Sequence, residues 1–177
     1  MDPKALTFLM AMFPIAEVRG ALPLSLVFFK LKDSEALFWS ISGNILIVPV
    51  IFLFLKFLQS AVFQKVSFLK SFSDFFFTKL QKKYGSRSFK NLFGLTLFVG
   101  IPLPFTGAWT GSIISFLLGI PFRFAFFAIS LGVILSSILV FFTAKAGVLL
   151  EKNFGPTAIF IFLLLLSLLL LLPKNEN

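Results

Sequence analysis

Cysteine and histidine are both absent from the 177 residues of this chain. Without cysteine there is no disulfide, no thiolate nucleophile and no thiolate-held zinc or iron–sulfur site, and without histidine the usual base and the commonest metal ligand are missing. Acid is scarce too. Asp2, Glu17, Asp33, Glu35, Asp74, Glu151 and Glu176 are scattered, with no Asp-rich loop and no Glu-x-x-His pair to build a metal cage. The expectation is a protein that is not an enzyme and holds no metal and no cofactor.

Charge is the next shortage. Only 13% of residues are charged and 58% are hydrophobic, where a soluble domain carries about 25% and about 45–50%. Too little polar surface remains to cover a core, so lipid must be the main solvent. The net charge of +9 would suggest nucleic acid in a soluble protein. Here the excess is concentrated in one stretch, Lys56 to Lys90, where eight basic residues face the single acid Asp74. It reads as a topology signal that places 56–90 in the cytoplasm, with no nucleic-acid partner.

Bilayer-thick apolar segments need about 20 residues, and five candidates appear. The stretch 36–55 is charge-free and predicts one crossing, kinked at most by Pro49. So do 124–144 and 157–172, joined by a short loop around Lys145 to Lys152. Within 56–90, Leu58, Val62, Val66, Leu69, Phe72 and Phe76 recur at helical spacing between lysines, which predicts an amphipathic helix at the cytoplasmic interface.

The other two segments are interrupted. Residues 5–29 carry Pro14, Glu17, Arg19, Gly20 and Pro23 in their middle. Residues 91–122 are charge-free, but one helix of that length would run about 48 Å, well past a hydrocarbon core of about 30 Å. Their centre, Gly100-Ile101-Pro102-Leu103-Pro104-Phe105-Thr106-Gly107, concentrates helix breakers. Both segments therefore predict re-entrant hairpins. The fold class expected is an all-α integral membrane protein, an inverted repeat whose halves are each a hairpin followed by a span, with a further C-terminal span. Gly43-Asn44-Ile45-Leu46 matches Gly132-Val133-Ile134-Leu135 at an offset of 89, as do Phe52 with Phe141 and Lys56 with Lys145. Interrupted segments at corresponding positions point to a transporter site at the midplane.

Glu17 and Arg19 are the only ionisable residues inside the five apolar segments. Burying either alone costs at least about 2.5–3.5 kcal/mol, so they should face protein or water and pair. Two residues apart, they can meet only if the chain between Pro14 and Pro23 unwinds. Glu17 could handle a proton or substrate, with Arg19 holding it ionised or gripping an anion; a structural salt bridge locking the hairpin is the alternative. In the second hairpin, Gly107 and Gly111 offer a bare face for packing against the first. Thr106 could cap a helix whose free amides attract negative charge. Trp109 could line a cavity or find a partner for its indole N–H, and Thr110 joins them as a candidate substrate or proton ligand. Asn44 is a weaker candidate. Glycine faces and a knobbly apolar surface make a homodimer the expected assembly.

The strings Pro14-Ile15-Ala16-Glu17-Val18-Arg19-Gly20-Ala21-Leu22-Pro23-Leu24, Gly43-Asn44, Lys83-Tyr84-Gly85 and Phe98 to Gly111 resemble the small multidrug export proteins of bacteria and archaea. That family in turn is similar to the DedA and VTT-domain membrane proteins. The resemblance implies facing re-entrant hairpins, an inverted repeat and a multi-pass plasma-membrane location. It implies a small-molecule exporter, proton-coupled through Glu17, or a flippase or scramblase for phospholipid or polyprenyl phosphate with acidic and basic roles at Glu17 and Arg19. A non-transporting membrane assembly factor is the third expectation. Where the family commonly has Gly, this chain has Phe105, so a bulkier turn is expected.

Overall fold

The computed structural model describes residues 1–60, 89–103 and 105–154. Most of the expected amphipathic stretch in 56–90, the expected span 157–172, Pro104 and Lys83-Tyr84-Gly85 lie outside the described residues. Six helices and no strand occur among the described residues: α1 Pro3–Met12, α2 Glu17–Val27, α3 Asp33–Leu58, α4 Phe89–Gly100, α5 Ala108–Leu117 and α6 Phe122–Phe154. Asp2 caps α1, accepting from the Lys4 N–H, with Pro3 opening the helix where its missing N–H costs nothing.

Length separates the helices into two kinds. α3 has 26 residues, about 39 Å. α6 has 33 residues, about 50 Å. Both are long and apolar enough to cross a membrane. The other four have 10 to 12 residues, or about 15–18 Å, half a hydrocarbon core. α1 and α2 are joined by the break 13–16, and α4 and α5 by the break 101–107.

Two expectations are corrected here. Lys145 to Lys152 form no loop, because α6 runs on to Phe154; lysine is a good helix former, and Lys145 finds Asp33 as a counterion. Pro23 does not bound an unwound stretch, because α2 passes through it. A helix that starts at Glu17 loses a single ladder bond at Pro23, and the unwinding is confined to the four residues around Pro14.

The two halves bury the same positions. α3 buries Ala36, Ser40, Gly43, Asn44, Ile47, Val48, Ile51 and Phe52. The residues 89 further on are Ala125, Ile129, Gly132, Val133, Ser136, Ser137, Val140 and Phe141, of which all but the half-buried Phe141 are buried. α2 buries Glu17, Val18, Ala21, Leu22 and Ser25, and 90 residues on stand Gly107, Ala108, Gly111, Ser112 and Ser115, all buried.

Packing follows the same correspondence: α1 lies on α3 as α4 lies on α6, and α2 packs on α6 as α5 packs on α3. A Cβ added at Gly43 would strike the Phe8 carbonyl and come within 3.1 Å of Ala11 Cβ, and one at Gly132 would come within 2.8 Å of the Thr96 carbonyl and 2.7 Å of Val99 Cβ. Both glycines let a short helix approach a long one at backbone distance.

Polarity is inverted relative to a soluble protein. Thr7, Ser25, Ser40, Asn44, Ser112, Ser115, Ser136 and Ser137 are buried, whereas Phe38, Leu53, Phe54, Phe57, Phe127 and Phe142 are exposed. Several buried hydroxyls donate back into their own helix, as Ser112 does to the Ala108 carbonyl at 2.7 Å and Ser137 to the Val133 carbonyl at 2.7 Å. That satisfies them without water. Ion pairs mark one end of the molecule, where Lys4 meets Glu35 at 2.8 Å and Lys145 meets Asp33 at 2.6 Å. The far end of α3, with Lys56 and Gln59, adjoins the turn Gly119–Phe122.

Candidate functional site

The two breaks meet at the centre of the fold. Glu17 opens α2 with a φ of 44°, left-handed backbone that a non-glycine residue adopts at a cost of roughly 1–2 kcal/mol. The turn directs its carboxylate out of its own half. Oε1 accepts from the Trp109 backbone N–H at 3.3 Å, and Oε2 accepts from Arg19 Nη1 at 3.3 Å. Glu17 is buried. Its carboxylate thus sits on the N-terminus of α5, where unpaired amides and the helix dipole both favour negative charge.

Gly107 makes the seat. It is the N-cap of α5, and any Cβ there would fall on the Glu17 carboxylate. Gly111 has a different task from the one expected: a Cβ there would meet Val99 at 2.7 Å and Ile129 at 3.5 Å, both in its own half. Gly20 lies a turn into α2 and faces only Ala16 Cβ, at 3.3 Å.

Arg19 is fully engaged on its far edge. Nη2 donates to Thr106 Oγ1 at 2.9 Å, to the Ile101 carbonyl at 3.3 Å and to the Val99 carbonyl at 3.5 Å. Those carbonyls end α4, where a helix leaves acceptors unpaired. Thr106 does not cap α5 through its hydroxyl as expected. It accepts from Arg19 and directs its own proton to the Ile101 or Leu103 carbonyl, each at 2.8 Å, because the cap position of α5 falls on Gly107, one residue further on.

The reciprocal bond comes from Trp109. Its indole Nε1 donates to the Met12 carbonyl at 2.9 Å, the last residue of α1. Arg19 and Trp109 stand 90 residues apart, each two residues past a buried pair-mate, Glu17 and Gly107. Each half therefore sends one side chain across to close the open helix end of the other. Thr110 is half-buried one residue on and bonds neither charged side chain among the described residues. Pro14 lies in the first break and Pro102 is exposed in the second, while Phe105 has a φ of 65°. That backbone explains why glycine suits the position.

Asn44, Ser136 and Val133 border the carboxylate, with Arg19, Gly107 and Val99. Asn44 Oδ1, Ser136 Oγ and Arg19 Nε are buried with no hydrogen-bond partner among the described residues. The space among these groups leaves no room for a water molecule. Sequence reasoning named Glu17, Arg19 and Asn44 but missed Ser136 and the carbonyls of Val99 and Ile101. Ser136 had a signal, a small polar residue in a charge-free span, 89 positions after Ile47. Backbone acceptors carry no sequence signal at all.

No curated protein and no solved structure matches this chain. The family described as "Putative small multi-drug export protein" matches residues 17–139, from the carboxylate that bridges the halves to the middle of the second long helix. With an apolar exterior, two helices long enough to cross a bilayer and a match over more than half its length, the chain is a membrane protein that belongs to this small multidrug export family.

Proposed function

We propose that this protein exports small molecules of the multidrug type across the plasma membrane, driven by proton binding at Glu17. One observation carries the reading: the only buried carboxylate among the described residues bridges the two halves, held by a backbone amide of the opposite half and by Arg19. Protonation would remove its charge and weaken both bonds at once. The hairpins could then part, and Asn44 Oδ1 and Ser136 Oγ, which have no partner among the described residues, would face the space that opens. The centre is too tight for any substrate in this conformation, so the reading makes it the closed state of an alternating-access cycle.

The proposal includes the inverted repeat and the re-entrant hairpins. The recurrence of buried positions, the matched packing and the half-bilayer length of the four short helices support it. The ion pairs Lys4–Glu35 and Lys145–Asp33 at one end, with Lys56 and the 119–122 turn at the other, agree with both hairpins returning to the side they left. A lipid-phosphate flippase would need Arg19 for a headgroup, and its Nη2 is already committed to three acceptors.

Proteoliposomes of the purified protein give the test. Substrate-driven proton flux with cationic drugs is expected in the wild type and is expected to be lost in Glu17→Gln, which keeps an acceptor for the Trp109 amide. Flux that survives in Glu17→Gln would end the proton-coupling reading. Flux only with a polyprenyl-phosphate analogue would favour the flippase.

A further inference from the structure

Two cavities occupy corresponding places at opposite ends of the molecule. The first, about 280 Å³, is lined by Phe52, Lys56 and Gln59 of α3 and its end, and by Phe116 and the Gly119–Phe122 turn. The second, about 220 Å³, is lined by Ala144, Lys145 and Val148 of α6 and by Leu26, Lys30, Leu31 and Asp33. Lys56 and Lys145 stand 89 residues apart, as do Phe122 and Asp33. The turn residues correspond in backbone too, Lys30 with a φ of 50° and Gly119 with a φ of 68°.

The difference lies in the counterion. In the second cavity Asp33 meets Lys145 at 2.6 Å. In the first, the residue in Asp33's place is Phe122, and Lys56 has no carboxylate partner among the described residues. Its surroundings are apolar: the rings of Phe52 and Phe122 pack edge to face at 5.2 Å, and those of Phe52 and Phe116 at 6.1 Å. An adjoining groove of about 230 Å³ runs from Lys56 along Leu53 and Pro49, sharing Phe52 and Phe122 with the cavity. Pro49, Leu53 and Lys56 follow one face of α3, about 10 Å from first to last.

We propose that this end of α3 binds an anionic phospholipid, with the phosphate on Lys56 and the first acyl carbons in the groove along Leu53 and Pro49. A cation with no counterion among the described residues, at the mouth of an apolar groove on a helix long enough to cross a bilayer, matches that ligand in charge and in the order of its parts. A soluble phosphate would leave the groove unused. The site lies at the end of α3 and is independent of the Glu17 reading.

Native mass spectrometry of the purified full chain in neutral detergent, titrated with phosphatidylglycerol or phosphatidylcholine, tests it. The wild type is expected to prefer phosphatidylglycerol about five- to tenfold. Lys56→Gln should lose that preference, and so should Phe122→Asp, which installs the counterion that the other half already has. Asp suits the first turn of a helix, and Asp33 occupies the same place at the start of α3. Lys145→Gln should keep the preference, and Asp33→Asn should add a second bound phosphatidylglycerol, a gain that misfolding cannot produce. An unchanged preference in Lys56→Gln, equal losses in Lys56→Gln and Lys145→Gln, or displacement of the lipid by millimolar inorganic phosphate would each overturn the proposal.

Discussion

The halves of this protein agree in what they bury and differ in what they charge. Helix for helix, small residues recur at the contacts: Gly43 with Gly132, Ala21 with Gly111, Ser25 with Ser115. At the two breaks the match fails in chemistry while holding in place. Where the first half has Glu17 and Arg19, the second has Gly107 and Trp109. A pair of carboxylates facing each other would repel, and a pair of glycines would leave both helix ends unpaired. One carboxylate and one bare seat give a single buried contact that both halves share. Packing thus constrains the pair of halves alike, and the buried charge is concentrated in the asymmetry.

The largest way to break the comparison is at Arg19. Arg19→Met strips the carboxylate of its cation and reopens the carbonyls of α4, with an expected loss of about 3–5 kcal/mol, as for other buried pairs with one partner removed. Trp109→Phe removes only the reciprocal bond to Met12 and should cost about 1–3 kcal/mol. Thermal unfolding in a single detergent measures both, and equal losses would mean that the ion pair adds nothing to the hydrogen bonds.

A smaller effect tests the agreement itself. Gly43→Ala and Gly132→Ala each push a methyl group into a backbone carbonyl of the neighbouring short helix, at a cost of about 1–3 kcal/mol. Both losses should fall in that range if the halves pack alike, with Gly43→Ala the costlier because its methyl group would lie nearer the carbonyl. A large cost in one and none in the other would show that the correspondence is one of sequence alone. Smallest, and opposite in sign, is Phe105→Gly. It relieves a left-handed φ at an exposed turn and should raise stability by up to about 1 kcal/mol, read as a higher melting temperature.

Much of this was legible in the order of residues. Prolines, glycines and two charges inside apolar segments located both breaks, because clustered missing amide donors and bare backbone disfavour a helix. The Gly43/Gly132 match at 89 residues was visible, but its meaning as a paired close approach was not. The correspondence also slips from 89 in the long helices to 90 in α2 and α5, which hides it from any single alignment offset. Pro23 misled because a proline inside a helix and one that ends it look alike in sequence. Lys145 misled because a charge near a membrane surface can extend a helix as easily as interrupt it.

By itself the sequence determined the solvent, the number and place of the breaks, and the presence of one acid and one base that could not stay unpaired in lipid. Composition and spacing are local properties, and transfer free energies act on them residue by residue. Only the tertiary structure decided that Glu17 reaches across to the amide of Trp109, that Arg19 and Trp109 exchange places at each other's helix ends, and that Lys145 has a counterion while Lys56 has none among the described residues. Those are contacts between residues separated by 80 positions or more, many of them to backbone atoms that every residue carries, so geometry alone selects which are made.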